Sequence, residues 1–141
     1  MSKTKSQNEQ IEILQHDIFD AIFSLMILQG HKSIRLRSHY DEACVAVYKK
    51  VEKMCDESDK YCGFYFVQHP IHGDSQLARD SLREWCSCGA MNVRVPGDGT
   101  YYFDLTLAEA EKWLTKSIQY TTFSREDFDK LTKIFLNIYS Q

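Results

Sequence analysis

Residues 11–30 read IEILQHDIFDAIFSLMILQG, and their spacing decides what kind of fold the chain adopts. Ile11, Leu14, Ile18, Ala21, Leu25 and Leu28 recur at alternating three- and four-residue steps, the seam of an amphipathic helix, and Gly30 closes the segment. Phe19, Ile22, Phe23, Met26 and Ile27 widen the apolar face well beyond a seam. A helix this apolar needs cover on most sides, so it either lies deep in the fold or meets a copy of itself. The run at 18–28 includes Asp20 and Ser24 and is far shorter than a membrane span, so no membrane association is expected.

Working outward, residues 1–8 (MSKTKSQN) are expected to be a disordered lead-in without the apolar core of a secretory leader. After Gly30, Ile34 and Leu36 alternate with Arg35 and Arg37, which predicts a short half-buried strand. Ser38 is assigned as the N-cap of a second helix, in which Tyr40, Ala43, Cys44, Val47, Tyr48, Val51, Met54 and Cys55 keep the helical period. Residues 63–67 (GFYFV) are apolar on both faces and predict a central strand. The run His69-Pro70-Ile71-His72-Gly73 breaks it, and Asp74 or Ser75 caps a third helix facing inward through Leu77, Ala78, Leu82 and Trp85.

Residues 91–95 and 101–105 alternate with period two around Pro96-Gly97-Asp98-Gly99, a hairpin pattern. Thr106 and Glu109 form a capping box for a fourth helix. Ser124 starts the last helix, with Phe123 and Phe128 placed as a hydrophobic staple.

The order α-β-α-β-α-β-β-α-α predicts an α/β fold bordering on α+β, with a mixed four-stranded sheet and helices packed on it. The two strand–helix–strand units are expected to pair in parallel through right-handed crossovers, the hairpin adding an antiparallel strand. Length sets one domain, residues 9–141. The hydrophobic share of 43% and charged share of 26% are ordinary for a globular chain. The net charge of −3 gives no overall pull toward nucleic acid or an anionic membrane. An odd count of five cysteines and no expected leader point to reduced thiols and a cytoplasmic location.

Parallel units hold ligands beyond the carboxyl ends of their strands. That rim would gather Ser38, His39, His69, His72 and Asp74 beside two helix N-termini suited to an anion; the plainer reading is that Ser38 and Asp74 only cap helices. His69, His72 and Asp74 also have the donor types for a metal or acid–base site, although Pro70 and Gly73 suit an ordinary turn. Cys55, Cys62, Cys86 and Cys88 fall at the opposite edge. A four-thiolate zinc site is topologically allowed there, but the C-x6-C…C-x-C spacing matches no familiar finger, and small apolar thiols near the core rim are the alternative.

Arg35, Arg37, Asn92, Arg94, Tyr102 and Asp104 alternate away from the apolar face of their strands, a pattern suited either to phosphate contact with ring stacking or to a solvated sheet face. Gly-x-Ser-x-Gly, P-loop and dinucleotide fingerprints are missing, so no catalytic residue, metal site or cofactor is assigned.

The leading expectation is a non-enzymatic interaction protein (an adaptor, inhibitor or regulatory subunit) with a protein partner, self-associating through residues 11–28. The second is a small-ligand module taking a nucleotide or other anion at Arg35, Arg37, Ser38, His39, His69, His72, Asp74 and Arg94. The third is a small enzyme with His69 or His72 as general base, oriented by Asp74.

Overall fold

The computed structural model describes residues 10–36, 39–67 and 75–141. The described residues form a mixed α and β structure with five helices and two small sheets. In chain order the elements are β1 (Ile11–Ile13), α1 (Gln15–Leu28), β2 (Ser33–Arg35), α2 (Tyr40–Asp56) and β3 (Lys60–Cys62). They continue with α3 (Gln76–Ser87), β4 (Met91–Asn92), β5 (Thr100–Phe103), α4 (Leu107–Thr121) and α5 (Arg125–Tyr139).

Helix α1 is the centre of the core. Asp17, Ile18 and Phe19 are buried, and so is every residue from 21 to 27. Helix α4 packs most extensively on it, with α5 and α3 on further sides. The wide apolar face of α1 is therefore covered by its own chain. The apolar positions of α1 from Ile18 to Ile27 are thus covered within one chain, and the exposed or half-buried positions of residues 11–28 are Ile11, Glu12, Leu14, Gln15, His16, Asp20 and Leu28. Helix α2 packs on α5, where Tyr40 meets Phe135 edge-on at 5.9 Å.

The amino end of the first segment departs from the helical reading. Leu14 is extended, with ψ 149, and the helix begins only after it. Ile11 and Ile13 pair in parallel with Lys60 and Cys62 instead, as suits β-branched side chains. Gly63 N–H extends this ladder to the Ile13 carbonyl at 2.8 Å.

Two small sheets replace the single four-stranded sheet. One is β1–β3, parallel; the other runs β2–β5–β4 and is antiparallel throughout. The strand at Ile34 thus pairs with the hairpin and not with residues 60–67. The register explains this choice. Ile34 faces Tyr101, and Met91 faces Phe103, so all four lie on the side of the sheet that meets the core. The hairpin ladder is also shorter than the alternation suggests, because β4 ends at Asn92 and Val93 and Val95 are exposed. Gly97 and Gly99 turn the chain with φ +84 and +76, and Asp98 accepts a bond from the Thr100 N–H at 2.9 Å.

The later helix starts are as the sequence predicts. Thr106 and Glu109 exchange both capping bonds, at 3.1 and 2.9 Å. Ser124 and Asp127 do the same, and Phe123 packs on Phe128 with ring centres 5.8 Å apart. Helix α2 differs: its N-cap is His39 and not Ser38, and Ser38 lies outside the described residues. Ser75 is the N-cap of α3, without a side-chain bond, while its N–H donates to Asp41 Oδ1 at 3.0 Å. Among the described residues no helix is long and apolar enough to cross a membrane.

Candidate functional site

Beyond β3 the chain leaves the ladder but keeps its period of two. Phe64 is half-buried and Phe66 is buried, whereas Tyr65 is 57% exposed and Val67 63% exposed. The inward pair fixes the segment. Phe66 lies 5.7 Å from Phe19 of α1 and 5.2 Å from Phe64, and Tyr48 of α2 contacts Phe64, Tyr65 and Phe66 at ring separations of 5.8–6.3 Å. The outward side chains, with Tyr61 of β3, form an apolar stripe along one side. Among the described residues, no backbone N–H or C=O of residues 65–67 has a hydrogen-bond partner. This segment has the side-chain alternation of a strand, is held from behind by aromatic packing, and carries backbone donors and acceptors that no other described residue takes up.

Next to Tyr61 lies a surface cleft of about 420 Å³, walled by Glu52, Asp56, Lys60 and the two thiols Cys55 and Cys62. Its charge is acidic in effect. The Lys60 ammonium is mostly covered and already lies 5.5 Å from the Phe123 ring and 3.8 Å from Asp59. Glu52 accepts the Tyr48 hydroxyl at 2.8 Å, and this bond is the main reason the Tyr48 pKa is pushed up to about 12. Burial, with Cys62 alongside, pushes the Cys55 thiol up to about 11; burial also raises Cys62. Both thiols stay protonated near neutral pH and are poor nucleophiles and poor metal ligands in this state.

Of the residues singled out from sequence as a ligand site, the structure describes Arg35, His39 and Arg94. The proposed rim needed parallel pairing between the strand at Ile34 and the segment at 63–67, and that pairing is not made among the described residues. Arg37, Ser38, His69, His72 and Asp74 lie outside the described residues. His39 faces its own helix, with Nδ1 3.2 Å from Glu42 Oε1, a local pair one turn along.

The polar sheet face does form in part. Ser33, Tyr102 and Asn92 lie side by side across the three strands, with Arg35 on the same face. Arg94 sits over the Tyr102 ring at 3.9 Å, so its guanidinium and that ring already satisfy one another. The cysteines separate into the neighbouring pairs Cys55–Cys62 and Cys86–Cys88. No group of three or more His, Cys, Asp or Glu side chains is placed to hold a metal ion among the described residues.

The sequence predicts a central strand at 63–67, apolar on both faces, with Tyr65 able to join the polar sheet surface; the segment instead lies outside both sheets, with Tyr65 and Val67 exposed. No protein-family model, curated protein or solved structure matches the chain.

Proposed function

We propose that the protein is a non-enzymatic interaction module that takes an extended segment of a protein partner by strand addition along residues 61–67. The observation that carries this reading is the backbone of residues 65–67, which has no hydrogen-bond partner among the described residues, behind the exposed side chains of Tyr65 and Val67. Main-chain bonds supply affinity in this mode, and alternate side chains supply selectivity. The occupant is defined by charge as well as shape. A basic side chain of the partner matches the Glu52/Asp56 cleft, while apolar residues at alternate positions cover Tyr61, Tyr65 and Val67.

Panning a random 12-residue peptide library against the purified chain tests the reading. Enriched peptides are expected to alternate apolar residues and to carry one Lys or Arg. Their affinity should fall roughly tenfold or more, about 1.4 kcal/mol, in Val67→Asp and in the Glu52→Gln/Asp56→Asn double variant. No enriched pattern, or binders indifferent to both variants, would overturn it. Sedimentation showing a dimer of the free chain that Val67→Asp dissociates would assign the edge to a second copy and also overturn it.

A further inference from the structure

A second cleft, of about 250 Å³, opens between the first turns of α1 and the far end of α4, remote in sequence from the strand edge. Its walls are His16, Asp17 and Asp20 from α1 and Trp113, Lys116 and Tyr120 from α4. The aromatic wall is rigid on one side: Trp113 packs edge-on against Trp85 at 4.9 Å, and Trp85 is itself buried. The same Trp85 donates its indole N–H to Asp20 Oδ1 at 2.7 Å, which aligns that carboxylate and leaves Oδ2 without a protein donor among the described residues.

Asp17 is only 8% exposed, yet it receives no hydrogen bond among the described residues, and the one basic group paired with it there is the imidazole of His16, with Nε2 3.3 Å from Oδ1. Lys116 forms no ion pair among the described residues. Two partly desolvated carboxylates therefore share a cleft in which, among the described residues, His16 is the one basic side chain within ion-pair distance of either.

We infer that this cleft binds a small organic ammonium ion bearing a flat apolar group. Its NH3+ donates to the carboxylates of Asp17 and Asp20, and its body lies between the rings of Trp113 and Tyr120. An ammonium has three donors to share between two carboxylates and is drawn to the faces of aromatic rings. Burial raises both carboxyl groups, Asp20 to about 6, as expected of acids short of a counter-charge. This site is independent of the strand edge, since none of its residues lines the Glu52/Asp56 cleft.

The probes are phenethylammonium, its neutral counterpart 2-phenylethanol, and phenylalanine, followed by two-dimensional NMR of the tryptophan indole N–H signals. Phenethylammonium is expected to shift the Trp85 and Trp113 signals in a saturable way. The alcohol, and the Asp17→Asn and Asp20→Asn variants with the amine, should bind at least about tenfold more weakly. Tyr120→Ala, at an exposed position, keeps the fold and should also weaken the amine. Phenylalanine binding more tightly than the amine, with the gain lost in Lys116→Gln, would identify the ligand as a zwitterion; weaker binding would identify a simple amine. Equal affinity for amine and alcohol, no saturable shift up to about 10 mM, or carboxylate variants that bind as the native chain does would each overturn the assignment.

Discussion

The indole Nε1–H of Trp85 donates to Oδ1 of Asp20 across 2.7 Å, joining α3 to the central helix through two residues 65 apart in sequence. The bond gives a buried indole the acceptor it needs, but it also fixes a carboxylate where burial opposes its charge. Trp85 serves two neighbours at once, since its ring packs on Phe23 at 5.1 Å and on Trp113 at 4.9 Å.

A pH dependence of stability follows from Asp20. Its folded-state pKa of about 6 lies above the ordinary 3.8, so between those values the folded chain holds a proton that the unfolded chain has lost. Stability from this group is full below about pH 4, falls as pH rises toward 6 and is level above that; the drop is at most about 3 kcal/mol. Asp17 is raised too and adds in the same direction. In Asp20→Asn, which keeps the acceptor for Trp85, urea unfolding should show higher stability at pH 7.5 and a flatter profile from pH 4 to 6. A profile as steep as the native one would contradict this.

The pair Asp41–Arg79 ties α2 to α3. Oδ2 takes the Arg79 Nη2 at 2.8 Å, and Oδ1 takes both Arg79 Nε at 3.2 Å and the Ser75 N–H at 3.0 Å. Asp41 is 9% exposed, so Asp41→Ala removes two hydrogen bonds to Arg79 and leaves the Ser75 N–H, a buried donor, without this acceptor. The expected loss is about 2–4 kcal/mol in urea unfolding. A loss below about 1 kcal/mol would mean that water replaces the carboxylate freely.

Among the described residues, the buried hydroxyls of Ser24 on α1 and Thr132 on α5 have no hydrogen-bond partner. Removing such a group relieves its desolvation, and alanine favours a helix more than serine does. Ser24→Ala and Thr132→Val should therefore leave stability unchanged or raise it by up to about 1 kcal/mol, read from the urea midpoint. A loss of more than that would reveal a bond these hydroxyls make in solution.

The capping hydroxyls of α4 and α5 act locally. Thr106→Ala and Ser124→Ala should each cost about 1 kcal/mol, and the double variant should cost the sum, because the two caps share no bond. Thermal melts of the three variants measure this directly.

Helix starts were legible in sequence wherever their causes are local. Thr106 with Glu109, and Ser124 with Phe123 and Phe128, need only residues within one or two turns. The helical period of α1 was equally plain, although it began four residues too early: Ile11 and Leu14 fit that period, but Leu14 is the extended N-cap and Ile11–Ile13 pair with β3 from about fifty residues away. Which strands pair was not legible, because Ile34 suits a parallel or an antiparallel neighbour equally and the choice rests on where Tyr101, Phe103 and Met91 find the core. The two clefts were hidden for the same reason. Asp17 and Asp20 read as ordinary polar positions of an amphipathic helix until α4 brings Trp113 and Tyr120 opposite them.

By itself, the sequence determined the helices, the hairpin turn and the need to cover residues 18–27, since periodicity, capping and turn chemistry act within a few residues. Tertiary structure alone decided that the apolar face of α1 is covered by its own chain, that the strands divide into two sheets, and that Tyr65 and Val67 face outward while Phe66 turns into the core. Those outcomes depend on which distant apolar surfaces meet first-rate cover and which are left over. That competition is settled by packing across the whole chain and leaves no trace in any one segment.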